Sequence, residues 1–209
     1  MKAYSREATR PDWFFPDVVT ISGESGVGTT ETFNALREHY GENTAWKYVS
    51  GGEIFRGFGK ERGMKVEKFA RYARENTQEG WDRKCDEEIQ KRASGNRSLT
   101  ESRLSHIFVP HGFHVLIICP THICAKRRMQ NPDYKGLRTS QIKELIEKRD
   151  EDDRTRYEAL YPGCLWAPLD FDLVRSTEIY STKEIVTTIL EKHSQWRHRN
   201  EKKIKRTAA

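Results

Sequence analysis

The sequence feature that most constrains the fold is a glycine-rich loop placed between a strand and a helix. Residues 23–31 read GESGVGTTE, directly after the apolar run Val18–Ser22 and directly before the helix-compatible stretch Thr30–Tyr40. Glycines in such a loop let backbone N–H groups turn inward onto phosphate oxygens, and the helix N-terminus adds the positive end of its dipole. The pattern therefore predicts a loop that cradles nucleotide phosphates, with an ordinary glycine-rich turn as the alternative.

The loop departs from its usual pattern at one position. A lysine normally follows the last glycine and reaches the β- and γ-phosphates, but this chain has Thr29 there. Thr30 keeps the hydroxyl group that usually ligates Mg²⁺ in such loops. A positive charge from elsewhere in the chain must therefore offset the missing lysine, or binding is weakened.

The composition fits one domain and argues against a membrane protein. A chain of 209 residues is long enough to bury a good core. A charged fraction of 33%, a mean hydropathy of -0.85 and the lack of a long apolar run argue against a membrane span. The N-terminal stretch MKAYSREATRPDWFFPD lacks the apolar segment of a signal peptide, so we expect a cytoplasmic protein.

The cysteines do not form a recognisable metal motif. Cys85, Cys119, Cys124 and Cys164 lack CxxC spacing. Cys119 and Cys124 flank His122, but two thiols and one imidazole are an incomplete zinc set. Reduced thiols without a metal are the favoured interpretation.

The basic charge is concentrated at the C-terminus. The stretch WRHRNEKKIKRTAA (196–209) holds six basic residues and one acidic residue, so most of the net charge of +6 lies there. A solvated end is favoured over a contact with RNA. We expect removal of this tail to leave stability and activity nearly intact.

The hydrophobic pattern alternates strands with helices. The predicted strands are Val18–Ser22, Ala45–Ser50, Arg97–Ser102, Phe113–Cys119, which is expected to be central, and Phe171–Thr177. A turn at Gly51–Gly52 follows the second strand. The predicted helices are Thr30–Tyr40, Glu53–Arg62, Val66–Glu75, Trp81–Ala93, Thr121–Gln130, Thr139–Tyr161 and one from a Ser181/Glu184 capping box to about Lys192. Such alternation predicts an α/β fold with a parallel sheet covered on both faces.

Several stretches together resemble one family. They are SGGEIFRGFGKERGMKVEKFARYA (50–73), TESRLSHIFVP (100–110), ICAKRR (123–128), EKRDEDDRTRYEALY (147–161) and DLVRST (172–177). In this order and spacing, from about Val18 to Lys192, they resemble the cytidylate kinases, especially the archaeal-type branch. The resemblance implies a P-loop NTPase fold with a helical acceptor region at about 51–95 and a short lid at about 127–140. It also implies a kinase domain at 18–192, an N-terminal extension at 1–17 and a basic tail at 193–209.

The resemblance implies a nucleoside monophosphate kinase that moves the γ-phosphoryl group of ATP onto CMP, and onto dCMP, with Mg²⁺. Its donor loop would comprise Gly23, Glu24, Ser25, Gly26, Val27, Gly28, Thr29 and Thr30, with Thr30 as the metal ligand. Its catalytic arginines would be Arg56, Arg103, Arg149, Arg156 and, from the lid, Arg128. Arg127, Lys135 and Arg138 are further lid cations that would close over the γ-phosphate.

The acceptor site follows from the same resemblance. Arg56 and Arg103 would clamp the acceptor phosphate, and Arg149 and Arg156 would reach the acceptor nucleotide. Asp153 would hold the ribose hydroxyls. Arg83 and Asp86 would line the base pocket, for which a solvated helix face is the alternative interpretation. Spacing places Arg149, Asp153 and Arg156 on one helix face, for which a surface ion-pair ladder is the alternative interpretation.

Two departures leave alternatives open. Leu104 stands where bacterial members have an aspartate that helps to read the cytosine amino group, so base specificity stays open, although archaeal-type members also have an apolar residue there. Without the loop lysine, a silent nucleotide-binding protein is the rival, and an RNA-binding module that uses the tail is another. We expect an active monomer in which Thr30→Ala removes most activity and Thr29→Ala costs about tenfold or less.

Overall fold

A computed structural model describes residues 17–42, 44–95, 97–163 and 170–207. Most of the predicted N-terminal extension and Cys164 lie outside these residues. Five strands pair in parallel in the order β2-β3-β1-β4-β5. The strands are β1 (Asp17–Gly23), β2 (Lys47–Ser50), β3 (Arg97–Glu101), β4 (Phe113–Ile118) and β5 (Leu173–Ser176).

Helices follow the strands and cover the sheet. They are α1 (Thr29–Tyr40), α2 (Gly51–Glu61), α3 (Val66–Glu75), α4 (Trp81–Ala93), α5 (Ser105–Phe108), α6 (Thr121–Arg128), α7 (Thr139–Leu160) and α8 (Thr182–Thr207). Two short 3₁₀ turns span Thr77–Glu79 and Pro132–Tyr134. The predicted α/β class with a parallel sheet is confirmed. None of the described helices combines the length and the apolar character needed to cross a bilayer.

Strand β1 forms the centre of the sheet, because it pairs with β3 on one side and β4 on the other. Val19 and Ile21 are fully buried in the larger core cluster, whereas Val18 is buried in a second cluster. Burial on both faces is typical of a parallel strand covered by helices. The prediction that β4 is central was wrong by one position, since β4 lies between β1 and β5.

The segment after β2 is helical from its first residue, so the predicted turn at Gly51–Gly52 was wrong. The Ser50 hydroxyl caps α2 by accepting a hydrogen bond from the Glu53 N–H at 3.2 Å. Gly51 packs directly against β3, where an added Cβ would lie 2.8 Å from the Cβ of Ser102. Glycine thus lets the start of α2 approach the end of β3.

Helix α8 runs to Thr207, so the predicted helix end near Lys192 was wrong. The predicted capping box is present, since the Ser181 N–H donates to Glu184 Oε2 at 2.8 Å and the Glu184 N–H to Ser181 Oγ at 3.3 Å. Trp196 is only 5% exposed, and its ring lies edge-on to Phe113 at 5.9 Å. Arg197 pairs with Asp17 at 2.8 Å. Helical spacing therefore continues the buried face into the basic stretch.

We predict that Trp196→Ala lowers the free energy of unfolding by about 3–5 kcal/mol, because it leaves a cavity in the core. Urea unfolding would measure this loss. Gln195→Ala, at an exposed position of the same helix, is the matched control and should change stability by about 0.5 kcal/mol or less. Equal stability of the two variants would contradict the anchoring of the tail.

Candidate active site

The glycine-rich loop joins the end of β1 to the first residue of α1. Gly26 and Gly28 have φ values of 80° and 103°, a conformation that favours glycine. Helix α1 begins at Thr29, so the first backbone N–H groups of that helix open beside the loop. The predicted strand–loop–helix arrangement is therefore present.

Helix α7 and the segment after β3 hold the outer side of this loop. The Ser25 N–H donates to Asp150 Oδ1 at 3.0 Å, and Arg154 pairs with Glu24 at 2.5 Å. Arg103 Nη1 donates to the carbonyl oxygen of Gly23 at 3.2 Å. The loop is thus fixed by charged side chains as well as by its own backbone.

Arg128 lies over the loop. Its Nη2 donates to Ser25 Oγ at 2.7 Å, and a Cβ added to Gly26 would lie 2.8 Å from the same nitrogen. Its Nη1 donates to the Tyr134 hydroxyl at 3.1 Å. A cation is therefore held directly against the phosphate loop that lacks its lysine.

Arg127 contacts the segment that follows β5. Its guanidinium donates to the Thr177 hydroxyl at 2.9 Å and to the Thr177 carbonyl oxygen at 2.5 Å. The Thr177 hydroxyl in turn donates to the carbonyl oxygen of Val27 at 2.7 Å. Arg127 thus braces the loop after β5, while Lys135 and Arg138 are exposed.

An open cleft of about 760 Å³ lies between these elements. Its size is within the range of a small-molecule site. The lining includes Gly26, Gly28, Arg127, Arg128, Thr177 and Tyr180.

The motif search missed Glu101, an acid at the end of β3. Its carboxylate is 7% exposed, accepts a hydrogen bond from Ser50 Oγ at 2.7 Å and lies beside the Thr29 side chain. Burial raises the pKa of Glu101, while the Ser50 hydrogen bond, Arg56 and Thr29 lower it. A signal was available, because an acid that ends a strand beside the phosphate-loop strand is where P-loop proteins hold their metal. The residue at the position of the missing lysine, Thr29, thus has its side chain beside this acid.

Three of the predicted acceptor residues form one charged chain. Asp153 Oδ2 pairs with Arg103 Nη2 at 2.9 Å, and Asp153 Oδ1 pairs with Arg156 Nη2 at 2.7 Å. Arg156 continues to Asp82, with its Nε 3.4 Å from Asp82 Oδ1. Asp153 is 7% exposed, so this chain is more than a surface ladder.

Arg149 lies close to other arginines. Desolvation and then the positive charge of Arg103 lower its pKa, Arg128 lowers it further, and Asp153 opposes the shift. The residue as a whole is nonetheless exposed. Clustered guanidinium groups near one loop are suited to bind several phosphate oxygens.

Arg56 is on α2, beside the end of β3. The residue is exposed, and its charge acts on Glu101. It has no hydrogen bond or ion pair with any residue in the described part of the chain. Its guanidinium is therefore available to a ligand.

The predicted base-pocket residues lie on α4. Asp86 is 8% exposed and accepts a hydrogen bond from the Tyr161 hydroxyl at 2.6 Å, and Arg83 is exposed near the same tyrosine. Burial raises the pKa of Asp86 to about 7, although the Tyr161 hydrogen bond opposes the shift. Leu104 is fully buried, so it belongs to the core under the site.

The cysteines contribute no metal centre within the described ranges. Cys85, Cys119 and Cys124 are free thiols, and no group of three potential metal ligands of the His, Cys, Asp or Glu type occurs among the residues that the structure describes. Burial raises the pKa of Cys85 to about 12.

A phosphate loop at the carboxyl end of the central parallel strand places the chain in the class of P-loop kinases. Solved structures share this fold at low sequence identity. An uncharacterised protein from Eubacterium ventriosum matches with a TM-score of 0.59 and 16% identity, over 85% of this chain and 98% of that chain. A shikimate kinase from Bacteroides thetaiotaomicron matches with a TM-score of 0.53 and 12% identity, over 84% and 97% of the two chains.

Comparison with sequence relatives identifies the family within this class. A cytidylate kinase from Methanobrevibacter smithii is 30% identical over 178 residues, which cover 83% of this chain and 96% of the relative. A cytidylate kinase from Pyrococcus furiosus is 32% identical over 165 residues, which cover 78% and 81%. No family model matches the chain. The chain belongs to the cytidylate kinase family, and the predicted class of ATP-dependent phosphotransferase is confirmed.

We predict that Asp86→Asn stabilises the protein increasingly as the pH rises from about 4 to about 7. The native pKa of Asp86 lies near 7, above the ordinary value of 3.8, so the folded state binds this proton more tightly than the unfolded state does. Stability from this group is complete below the ordinary value and is lost as the pH rises through the native value, by up to about 1.4 kcal/mol per pH unit. Asparagine cannot ionise, so the variant avoids this loss.

Urea unfolding of both proteins across this pH range checks the prediction. Glu75→Gln, at an exposed position of helix α3, is the control and should track the unmutated protein. A stability difference that is constant with pH would contradict the assignment.

Proposed function

We propose that the chain is a nucleoside monophosphate kinase that transfers the γ-phosphoryl group of ATP to CMP, and also to dCMP. The observation that carries the proposal is the position of Arg103. One nitrogen of its guanidinium donates to the carbonyl oxygen of Gly23 in the phosphate loop, and the other pairs with Asp153 on α7. A guanidinium at this position would lie between the donor and the acceptor, where the phosphoryl group would pass. The names of the sequence relatives support CMP as the acceptor.

The donor phosphates would lie in the loop, and Arg128 would supply the charge of the absent lysine. The contacts of Arg128 with Ser25 and its closeness to Gly26 support this role. An arginine can also donate two parallel hydrogen bonds to phosphate oxygens. The nucleoside of ATP would extend into the cleft beside Arg127 and Thr177.

The residues present suit a magnesium ion. Thr30 is exposed at the start of α1, and Glu101 is a buried carboxylate next to Thr29, so both offer the hard oxygen ligands that Mg²⁺ takes. A nearby cation would also offset the cost of burying Glu101. Thr30 and Glu101 would hold the ion, which would supply positive charge to offset the negative charge that develops during transfer.

The acceptor phosphate would bind to Arg56, Arg103 and Arg156. Such a phosphate is ionised at neutral pH, so alignment and charge neutralisation suffice without a strong general base. Asp153, which now pairs with two arginines, would hold the ribose hydroxyls. Because Leu104 is buried, Asp86 and Arg83 on α4 are the groups that we assign to the base.

We predict that the protein with ATP and Mg²⁺ phosphorylates CMP and dCMP in preference to UMP, AMP and GMP. A coupled assay of ADP formation with each monophosphate measures this preference. Chelation of Mg²⁺ should abolish turnover. Preference for AMP or GMP would overturn the acceptor assignment, and ATP binding without any transfer would favour a silent nucleotide-binding protein.

We also predict that Arg128→Ala lowers kcat/KM by about thirtyfold to a thousandfold, since it removes a charge from the donor phosphates. Arg128→Lys should restore part of the activity, because lysine keeps the charge but loses the planar fork. Thr29→Ala should cost about tenfold or less, because Thr29 contacts Glu101, which keeps its Ser50 hydrogen bond.

Arg127→Ala is the matched control, because this neighbouring arginine braces Thr177. It should raise the KM for ATP more than it lowers kcat. Greater damage from Thr29→Ala than from Arg128→Ala would show that Arg128 does not replace the lysine.

A further inference from the structure

A buried carboxylate, Asp150, connects the two halves of the site. It is 7% exposed on α7, and its Oδ1 accepts the Ser25 N–H at 3.0 Å. The same oxygen lies 3.7 Å from Arg103 Nη2. One side chain therefore contacts both the donor loop and the arginine that the proposed function places between the substrates.

Asp150 is buried, so its two contacts offset the free-energy cost of removing its carboxylate from water. Burial raises its pKa, while the Ser25 N–H and the charge of Arg103 lower it, and the nearby carboxylates of Glu24 and Asp153 raise it. A buried carboxylate is costly unless it is hydrogen-bonded and paired. The Ser25 amide is buried too, so removal of Asp150 would leave that amide without its acceptor.

Ser25 connects Asp150 to Arg128, which belongs to the predicted lid. Its backbone N–H is held by Asp150, and its hydroxyl accepts a hydrogen bond from Arg128 Nη2 at 2.7 Å. A shift of Ser25 would therefore move the cation that replaces the missing lysine. The position of this part of the loop depends on α7, the helix that also carries Arg149, Asp153 and Arg156.

We propose that Asp150 is a positioning residue with two separable roles: its oxygen fixes the donor loop through the Ser25 N–H, and its negative charge orients Arg103 for the acceptor. The inference rests on the proposed function for the identity of the two ligands. It assigns no direct contact between Asp150 and either substrate.

Two substitutions separate these roles. Asparagine keeps an oxygen that accepts the Ser25 hydrogen bond but has no charge to orient Arg103. Alanine removes both. Asp152→Asn is the matched control, because Asp152 is an exposed acid on the same helix.

The experiment measures the Kd of ATP by calorimetry, the KM of ATP and of CMP, and the melting temperature of each variant. Asp150→Ala should weaken ATP binding by about tenfold or more, the effect of leaving a buried N–H without its acceptor. Asp150→Asn should keep the ATP Kd within about threefold of the unmutated value while raising the KM of CMP by about fivefold or more. Asp152→Asn should change none of these.

Several results would overturn the inference. A lower melting temperature with an unchanged ATP Kd in Asp150→Ala would leave only a structural role. Equal loss of ATP affinity in the alanine and asparagine variants would remove the role of the Ser25 hydrogen bond. If alanine prevents folding, the isosteric asparagine variant decides alone, and an unchanged KM for CMP in that variant would remove the charge role.

The readouts also separate this inference from the proposed function. Failure of the unmutated protein to phosphorylate any monophosphate overturns the function, while the ATP Kd still tests the Ser25 contact. Failure of the unmutated protein to bind ATP overturns both.

Discussion

The parallel pairing of β1 with β3 sets the geometry on which the rest of the site depends. The register places Ile21 beside Glu101, so the phosphate loop after β1 and the charged segment after β3 leave the sheet at the same edge. Parallel strands in an open α/β sheet place such groups together because all their carboxyl ends point one way. Glu101 and Arg103, two residues apart, thus both reach this loop: Glu101 lies beside Thr29, and Arg103 donates to the carbonyl oxygen of Gly23.

Charge is distributed around this loop differently from the usual pattern. A conventional loop lysine is a point charge at the start of the helix that follows the loop. Here the nearest cations come from α6, α7 and the segment after β3, and Arg103 and Arg128 act on Arg149 with like charge. Such mutual repulsion favours an anion among them. Acids on α7 keep two of the arginines in place, since Asp153 pairs with both Arg103 and Arg156.

Much of the fold could be predicted from the sequence, because periodicity and the loop pattern are local signals. The strand–loop–helix unit and the common helix face of Arg149, Asp153 and Arg156 follow from spacing alone. Asp150 could not be identified in this way, because its role arises from a contact with Ser25, which lies 125 positions away in the sequence. Glu101 stands at the end of a strand beside the loop strand, a usable signal, but its hydrogen bond with Ser50, 51 positions away, could not be predicted. The sequence also failed to predict the burial of Trp196. The many charged residues that follow it are typical of a solvated chain end, whereas its burial depends on a distant residue, Phe113.

The burial of Trp196 has a consequence for the order in which the chain acquires its structure during synthesis. The central strand begins at Asp17, yet the residues that complete its surroundings include Trp196 in the core and Arg197 on Asp17 itself, 180 residues later. Contacts of such large sequence separation form late, because the loop they close must be ordered first. A nascent chain that has not yet released Trp196 from the ribosome therefore leaves Phe113 on β4 without the aromatic ring that packs against it.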